Sequence, residues 1–404
     1  MRSSNAFERV VLIVLDGVGI GAAPDAEDYG DSGANTLGHV AQACDGLHLP
    51  HMQRLGIGNL LPVAGVDAVP SPAAAHGRMR ERSIGKDTTT GHWELAGIVQ
   101  ERPFATFPQG FPREIIDGFV AITGLEPLGN VAASGTEIIR VLGEEHVRTG
   151  QPIVYTSSDS VFQIAAHEKV IPLERLYDIC RKTRKMLDPY RIGRVIARPF
   201  VGSSSEDFVR TSGRHDFSFA PPGPTVLDRL AEKNLTVYGI GKIRDIFMGQ
   251  GLTDYCCTQD NADGMARTLR AFSETDRGLI FTNLVDFDML YGHRQDAEGF
   301  GRALEAFDRW LPSMMQEMGP KDLLVVTADH GCDPTTPGTD HTREDVPLLV
   351  WHPELDSGKD LGVRQSFSDL GVTVGAAFGL DLGVGQAFLE ELFPRTANGC
   401  CVED

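Results

Sequence analysis

Acidic and imidazole side chains follow several apolar runs in this 404-residue chain. Asp329 and His330 come directly after the apolar run 323–328, which predicts a buried strand. A hard carboxylate beside a neutral imidazole suits a divalent metal ion. Taken alone, Asp and His after a strand are more often turn or cap residues than ligands. The prediction of a metal site therefore depends on which other groups reach the same place.

Three further stretches supply groups of the same kind. Asp16 ends an apolar, β-branched run, Asp288 and His293 follow another, and His341 lies in a loop just before a predicted strand. The carboxyl ends of parallel strands in an open α/β sheet meet at one edge, where such folds place their chemistry. Each group alone would be structural. Together they predict a metal centre assembled from distant segments.

A fifth stretch, 85–94, contains three consecutive threonines, Thr88, Thr89 and Thr90, with glycines on both sides. Such a run is typical of a strand or of a helix start. A Thr hydroxyl is a poor nucleophile at neutral pH, but direct coordination to a divalent ion stabilises its alkoxide without a neighbouring base. The residues themselves leave open which threonine would react.

These segments resemble phosphopentomutases, a family of the alkaline phosphatase superfamily. Asp-His-Gly at 329–331 alone would indicate only the superfamily, whereas Gly-His-Trp-Glu at 91–94 makes the match specific. The resemblance covers essentially the whole chain and rests on the segments 15–19, 85–94, 155–160, 283–294 and 328–333.

The resemblance implies two divalent metal ions. The ligands of the first would be Asp16, Asp329, His330 and the nucleophile Thr88. The ligands of the second would be Asp288, His293 and His341. Thr88 is selected because, in the related cofactor-independent phosphoglycerate mutases, the metal-bound Ser lies three residues before a Gly-His pair. Family members favour manganese, and carboxylates and imidazoles without a thiolate suit Mn²⁺ and do not exclude Zn²⁺.

The formal charge of −19, from 37 basic and 56 acidic residues, argues against a nucleic acid or an anionic membrane as partner. The same field repels a sugar phosphate, so attraction must come from the metal ions and local basic groups. The candidates are Lys86 beside the nucleophile, with a catalytic role, and Lys242, Arg194 and Arg198 for substrate binding. Lys242 and Arg194 are favoured because, in the family, basic groups from both domains bind the substrate phosphate. Ser157 and Asp159 would suit the ribose hydroxyls.

The alternation of predicted strands and helices indicates an α/β fold with a doubly wound, mostly parallel sheet. At about 150 residues per domain, a chain of this length predicts two or three domains. Residues 102–221 carry their own strand and helix pattern between proline-rich joins. We therefore expect a core from segments 1–101 and 222–404, and a smaller α/β cap domain inserted at 102–221. The resemblance implies the same architecture.

The resemblance also implies a reaction, that of an isomerase. Ribose 1-phosphate and ribose 5-phosphate, and the 2-deoxyribose pair, would interconvert through a phosphothreonine and a bisphosphate intermediate. A sugar bisphosphate would prime the enzyme, and no obligate protein partner is evident. Two alternatives stay open at this point. A metal-dependent phosphomonoesterase or phosphodiesterase would share every ligand, and a non-catalytic binding protein would be expected to lack a ligand or the nucleophile.

Cysteine usage indicates a reducing compartment. The seven cysteines are an odd number and include the vicinal pairs at 256–257 and 400–401, which do not suggest a disulfide framework. Cys332 lies near the predicted metal ligands, where a stable thiol implies reducing conditions. The first residues lack the apolar core of a signal peptide. The expected location is the cytoplasm.

Overall fold

A computed structural model describes residues 7–157, 160–355 and 358–394. The chain divides into two compact units. The core unit comprises Met1–Arg102 and Pro221–Asp404, and the insertion unit comprises Pro103–Ala220. Each boundary of the insertion unit lies one residue inside the predicted segment 102–221.

The strands alternate with helices along most of the chain, as the sequence pattern predicts. In chain order the strands are β1 (Arg9–Leu15), β2 (Ala75–Met79), β3 (Leu128–Ala132), β4 (Ile153–Thr156), β5 (Val161–His167), β6 (Arg194–Val201), β7 (Val209–Arg210), β8 (His215–Ser218), β9 (Thr236–Ile240), β10 (Asp254–Cys256), β11 (Gly278–Leu284), β12 (Asp322–Thr327), β13 (Val346–Trp351) and β14 (Asp360–Arg364).

The helices fall between these strands, and a π-helix at Phe287–Gly292 follows β11. In chain order the α-helices are α1 (Thr36–Ala43), α2 (Pro50–Leu55), α3 (Thr88–Leu95), α4 (Arg113–Thr123), α5 (Gly135–Thr149), α6 (Leu173–Leu187), α7 (Val226–Glu232), α8 (Ile243–Ile246), α9 (Asn261–Glu274), α10 (Ala297–Glu317), α11 (Ser368–Ala377) and α12 (Leu389–Leu392). No helix among the residues described is both long and apolar enough to cross a lipid bilayer.

The core unit contains an eight-stranded sheet in the order β10-β9-β11-β1-β12-β13-β2-β14. Only β13 runs antiparallel to its neighbours, because it follows β12 through a loop without a crossover helix. Strand β9 contacts α9 as well as α7 and α8, while α9 packs with α10. Helices therefore cover both faces, and the predicted doubly wound, mostly parallel α/β class is confirmed.

The central strands are buried on both faces, as parallel strands between two helix layers must be. Every residue of β11 and β12 is buried, and so is all of β1 except its first residue. Strand β1 pairs in parallel with both neighbours, so Leu15 lies opposite Leu284 and Val14 opposite Thr327. The segments that follow these strands therefore leave the sheet side by side at one edge.

The insertion unit has its own mixed sheet, in the order β3-β4-β5-β6-β7, with β8 paired to β6. One face packs against α4 and α6 through an apolar cluster that includes Phe119 and Phe162. The other face packs against α5 through Ile138, Ile139 and Tyr155.

The sequence pattern predicts a helix at 135–143, but helix α5 continues beyond Gly143. A Cβ at Gly143 would lie 2.4 Å from the Phe208 ring, so glycine at this position allows close packing and does not end the helix. The helix ends instead at Gly150, whose φ of 78° is the left-handed conformation typical of a helix C-terminus.

Candidate metal centre

Two carboxylates and one imidazole meet where β1 and β12 end. Ligand atoms of Asp16, Asp329 and His330 all lie within 4.8 Å of one another, and the three side chains are buried. His330 Nε2 lies 3.3 Å from Asp16 Oδ1 and 3.4 Å from Asp329 Oδ2. The adjacent parallel strands therefore bring Asp16 and Asp329 together although more than 300 residues separate them.

A second cluster forms around Asp288 in the π-helix after β11. Its Oδ1 lies 3.3 Å from His341 Nε2, and its Oδ2 lies 3.3 Å from His293 Nε2. His330 joins the two clusters, because it also groups with Asp288 and His341, and its ring centroid lies 4.2 Å from that of His341.

The imidazoles are oriented to bind a cation. His330 Nδ1 lies 2.9 Å from the Gly331 carbonyl oxygen, and His293 Nδ1 lies 2.6 Å from the Thr339 carbonyl oxygen. A carbonyl only accepts, so each Nδ1 carries a proton, and each Nε2 faces the carboxylates as the ring atom that can bind a metal ion. This is the arrangement found in metal-ligating histidines.

In both clusters, one buried carboxylate oxygen or more lacks a hydrogen-bond donor among the described residues. Asp16 Oδ1, Asp288 Oδ1 and Asp329 Oδ2 accept no hydrogen bond of good geometry from the residues that the structure describes. A buried carboxylate without such partners is costly unless a cation balances it. The donor set of carboxylates and imidazoles fits a divalent metal ion in each cluster.

The charges of the clusters shift the pKa values of their members. Burial alone would raise the pKa of Asp288, but the charges of His341, His330 and His293 lower it below the ordinary value. Burial alone would lower the pKa of His330, but the carboxylates of Asp329 and Asp16 raise it well above the ordinary value. In the absence of an ion, the carboxylates thus draw positive charge onto this imidazole.

Thr88 places its hydroxyl in the first cluster. Its Oγ1 lies 3.1 Å from His330 Nε2, and Thr88 is the first residue of helix α3. Asp87 caps this helix by accepting from the backbone N–H groups of Thr89 and Thr90 and from the Thr90 hydroxyl. The cap explains the threonine run as a helix start, and it binds the Thr90 hydroxyl, whereas the Thr88 hydroxyl faces His330.

Helix α3 approaches the end of β12 closely at Gly91. A Cβ at this position would lie 2.1 Å from the Asp329 carbonyl oxygen, so only glycine fits without displacing the helix. This contact keeps Thr88 beside His330.

Asn283 and His92 contact the predicted ligands and orient them. Asn283 Nδ2 donates to Asp16 Oδ2 at 2.9 Å and lies 3.2 Å from His92 Nε2. His92 Nδ1 donates to the Thr88 carbonyl oxygen at 2.9 Å and lies 3.0 Å from Asp329 Oδ2. Both side chains are fully buried. They therefore fix the orientation of two predicted ligands and of the residue that carries the hydroxyl.

The comparisons with known proteins cover nearly the whole chain. The model of the metalloenzyme superfamily matches residues 8–382. A phosphopentomutase from Syntrophotalea carbinolica is 62% identical over 386 residues, covering 96% of this chain and 98% of the relative. The chain belongs to the phosphopentomutase family.

Other members of this family are similar at comparable length. The phosphopentomutase of Caldanaerobacter subterraneus subsp. tengcongensis is 55% identical over 388 residues, covering 96% of this chain and 98% of the relative. Among solved structures, phosphoglycerate mutase from Leishmania mexicana, described at low cobalt concentration, aligns with a TM-score of 0.46 and 12% identity. That alignment covers 94% of this chain and 97% of the other.

The basic residue predicted beside the nucleophile has acidic partners in this family member. Lys86 Nζ lies 3.0 Å from Asp31 Oδ2 and 3.5 Å from Asp340 Oδ2. The contacts place the Lys86 ammonium between the segment after β1 and the loop that carries His341. Its catalytic role stays a prediction.

A buried arginine joins the loops that carry the predicted nucleophile and one predicted ligand. Arg343, two residues after His341, is 2% exposed and pairs with Glu81 at 2.6 Å and Asp25 at 2.9 Å. Its guanidinium also donates to the carbonyl oxygens of Ser83 and Gly85, just before α3. Arg343 therefore fixes the His341 loop to the segment that leads into Thr88.

The predicted substrate-binding residues lie in both units. Lys242 is in the core unit and immediately precedes α8. In the insertion unit, Ser157 follows β4, and Arg194 and Arg198 lie in β6, where Arg198 Nε donates to Gln163 Oε1 at 3.0 Å. Arg194 Nη1 lies 3.5 Å from Asp216 Oδ2. Asp159 is outside the described residues, and the substrate-binding roles of all these residues stay predictions.

Sequence reasoning gave no role to Asn283, His92 or Arg343. Asn283 and His92 lie inside the segments that carry the family resemblance, but neither is a ligand type that the metal argument required. A signal for Asn283 existed: a polar amide is unusual near the end of an apolar strand buried on both faces. Arg343 gave no comparable signal, because most arginines are solvated.

Proposed function

We propose that this protein is an isomerase that interconverts ribose 1-phosphate and ribose 5-phosphate, and the corresponding 2-deoxyribose phosphates. The proposal rests on one observation above all. In a chain at least 55% identical to proteins named phosphopentomutase, the Thr88 hydroxyl lies 3.1 Å from His330 within a buried carboxylate and imidazole cluster. With a divalent ion bound, such a cluster would activate this hydroxyl for phosphoryl transfer without a neighbouring base.

In the proposed cycle, Thr88 carries phosphate between sugar positions. The phosphoryl group on Thr88 Oγ1 passes to the free hydroxyl of the bound pentose phosphate: the Oγ1–P and sugar O–H bonds break, a sugar O–P bond forms, and the hydroxyl proton ends on Thr88 Oγ1. After the resulting pentose bisphosphate reorients, Thr88 Oγ1 attacks its other phosphorus, the sugar O–P bond breaks, and the Thr88 proton ends on the departing sugar oxygen, which becomes the product hydroxyl. A sugar bisphosphate starts the cycle by supplying the first phosphoryl group.

Asp16, Asp329, His330 and Thr88 would hold one divalent ion, and Asp288, His293 and His341 a second. When bound, these ions neutralise the phosphoryl oxygens and stabilise the alkoxide that attacks or leaves. Manganese is the proposed metal, because this donor set is composed of oxygen and imidazole nitrogen.

The rest of the machinery consists of the chain's own groups. Asp87 holds the first turn of α3, and so fixes the direction of the Thr88 side chain. The N-terminus of this helix carries partial positive charge, which favours a phosphate on Thr88. Asn283 and His92 keep Asp16 and the Thr88 backbone in place by hydrogen bonds.

Substrate recognition is proposed for basic and polar groups of both units. Lys242, Arg194 and Arg198 would bind the phosphate that is not transferred, and Ser157 and Asp159 the ribose hydroxyls. Each can be tested alone, because loss of a phosphate contact should raise KM for the sugar phosphate.

The free thiols of Cys44, Cys180, Cys256, Cys257 and Cys332 agree with the proposed cytoplasmic location.

The deciding experiment is intact-mass analysis of purified protein with and without a sugar bisphosphate, followed by peptide mapping. We expect one phosphoryl group on Thr88, absent in Thr88→Ala. Isomerisation should fall by roughly 10³-fold or more in this variant, while Thr88→Ser retains part of it because it keeps a hydroxyl. Phosphate on another residue, or full turnover by Thr88→Ala, would exclude the proposed mechanism.

A metal-dependent phosphomonoesterase would use the same clusters. An assay that follows inorganic phosphate and ribose 1-phosphate together, starting from ribose 5-phosphate, separates the two reactions. Isomerisation should predominate. If inorganic phosphate is the main product, water rather than the sugar accepts the phosphoryl group and the mutase assignment is wrong.

A further inference from the structure

Cys332 adds a thiol to the second metal cluster. Its side chain is fully buried, and its Sγ, an oxygen of Asp288 and a nitrogen of His293 all lie within 4.8 Å of one another. Neither the family resemblance nor the donor-set argument for manganese includes a sulfur ligand.

The backbone around Cys332 is built to admit this side chain. A Cβ at Gly292 would lie 2.4 Å from Cys332 Sγ, and a Cβ at Gly17 would lie 2.9 Å from Cys332 Cβ. The Cys332 amide donates to Thr36 Oγ1 at 3.1 Å. Close packing against the turn after β1 and the end of the π-helix, together with this hydrogen bond, therefore restricts Cys332 to a position beside Asp288.

Asp288 and His293 consequently belong to two donor sets. With His341 they offer oxygen and nitrogen only, which suits Mn²⁺. With Cys332 they offer oxygen, nitrogen and sulfur, and a thiolate ligand selects softer ions such as Zn²⁺ and Cd²⁺. Among the residues that the structure describes, Asp288 Oδ1 accepts no hydrogen bond of good geometry, so this buried carboxylate retains capacity for a cation.

We propose that Cys332, Asp288 and His293 form a binding site for a thiophilic divalent ion of the zinc and cadmium class. On binding, the thiol proton leaves to solvent, and a sulfur–metal bond forms. Because two ligands are shared, such an ion and the second manganese ion exclude each other. The inference rests on the metal centre of the proposed function, but it requires nothing of the isomerisation reaction.

The test is a titration of metal-free, full-length protein with Cd²⁺, followed by near-ultraviolet absorption. In all proteins compared, Cys256, Cys257, Cys400 and Cys401 are replaced by Ser, so that vicinal cysteines give no signal. We expect a thiolate-to-cadmium charge-transfer band whose final amplitude corresponds to a single thiolate ligand and which a large excess of Mn²⁺ diminishes, because the two ions share Asp288 and His293. Cys332→Ser should abolish the band. Cys180→Ser, which removes another fully buried thiol, should leave it unchanged.

The outcomes separate this inference from the metal centre itself. If Cd²⁺ displaces bound Mn²⁺, detected by electron paramagnetic resonance, without a charge-transfer band, then the thiol is not a ligand and the inference is wrong. If neither ion binds, the metal centre of the proposed function fails as well. Should Cys332→Ser not fold, the ¹¹³Cd resonance of the protein that retains Cys332 decides. A sulfur-ligated chemical shift supports the site, and a shift typical of oxygen and nitrogen ligands overturns it.

Discussion

At the scale of single residues, the candidate site depends on groups that are not themselves predicted metal ligands. Asn283 is an example, because its amide holds Asp16 Oδ2 at 2.9 Å and faces His92 Nε2 at 3.2 Å. Without it, the Asp16 carboxylate would lose its fixed orientation, and His92 would lose a partner in a fully buried position. Supporting hydrogen bonds of this kind contribute substantially to metal affinity.

We therefore expect Asn283→Ala to weaken Mn²⁺ binding by about 10–100-fold, the usual range for loss of such a partner. Electron paramagnetic resonance of free Mn²⁺ during a titration measures this affinity directly. Thr282→Val is the matched control, because Thr282 is also buried in β11 but contacts Thr268 instead of a predicted ligand. Equal Mn²⁺ affinity in Asn283→Ala and the wild type would show that Asp16 needs no such support.

Residue identity predicted which acidic and imidazole groups come together better than it predicted the partners that support them. Asp16 and Asp329 directly follow apolar runs that form neighbouring parallel strands, so pattern and topology together bring them to one place. The partner of Lys86 could not be found in this way. Its ammonium pairs with Asp31, 55 positions earlier in a segment without regular pattern. Side-chain direction in loops depends on packing that the sequence does not display.

At the scale of secondary-structure elements, the loops that carry Thr88 and His341 are joined by Arg343. The guanidinium is buried together with Glu81, so removing the Arg343 charge leaves the Glu81 carboxylate buried without its cation. Breaking a buried pair in this way costs about 3–5 kcal/mol. We expect Arg343→Met to lower the free energy of unfolding by this amount, measured by urea denaturation.

The double variant Arg343→Met with Glu81→Gln should recover part of that loss, because it leaves no unpaired charge on Glu81. Both proteins should nevertheless bind Mn²⁺ less tightly than the wild type, since His341 is no longer held against the segment before α3. If the two changes add without recovery, the ion pair does not couple these loops.

In the insertion unit, helix α5 is attached to β5 through one histidine. His146 Nδ1 lies 2.6 Å from the Gln151 carbonyl oxygen, so Nε2 accepts from the His167 amide at 2.8 Å. Burial lowers the pKa of His146 below its ordinary value of 6.5. Protonation at Nε2 would remove the acceptor and place a charge in an apolar cluster.

The sign of the pH effect follows from this shift. In the unfolded state, His146 binds a proton as pH falls below about 6.5. In the folded state, it binds this proton only at the lower pH that corresponds to its lowered pKa. The stability that neutral His146 contributes is therefore complete above pH 6.5 and decreases as pH falls below it. We expect faster hydrogen exchange of the His167 amide, corrected for intrinsic rates, between pH 6.5 and 5. In His146→Gln, whose amide can both donate and accept without titrating, this extra pH dependence should be absent.

Elements were predictable where their cause is local. The apolar runs at 236–240 and 346–351 predict strands, and β9 and β13 have these bounds. Helix α7 begins after Thr225, whose side chain forms a capping box with Asp228. Helix α5 was predicted too short because Gly143 reads as a helix end. The reason for glycine at position 143 is tertiary packing, since Phe208 occupies the space that a side chain there would need.

At the scale of the whole molecule, the metal centre and the insertion unit are separate in sequence. Every predicted metal ligand lies in the core unit, either in helix α3 or in the segments next to β1, β11, β12 and β13, and none lies in Pro103–Ala220. The sequence predicted this division from the position of its prolines and strands. The arrangement links ion binding to the folding of the core unit, because the ligands meet only when its sheet is formed.

An ion that binds only the folded core should stabilise it by mass action, about 2.7 kcal/mol at a free concentration 100 times Kd. We expect Mn²⁺, added without sugar phosphate, to slow hydrogen exchange of amides in β1, β11 and β12 and to leave those in β4, β5 and β6 unchanged. Hydrogen exchange with mass spectrometry measures both sets in one sample, and Asp16→Asn with Asp288→Asn provides a control that should lose the effect. Equal protection of both sets would mean that the two units unfold together, whereas no protection of either would show that the core clusters do not bind the ion.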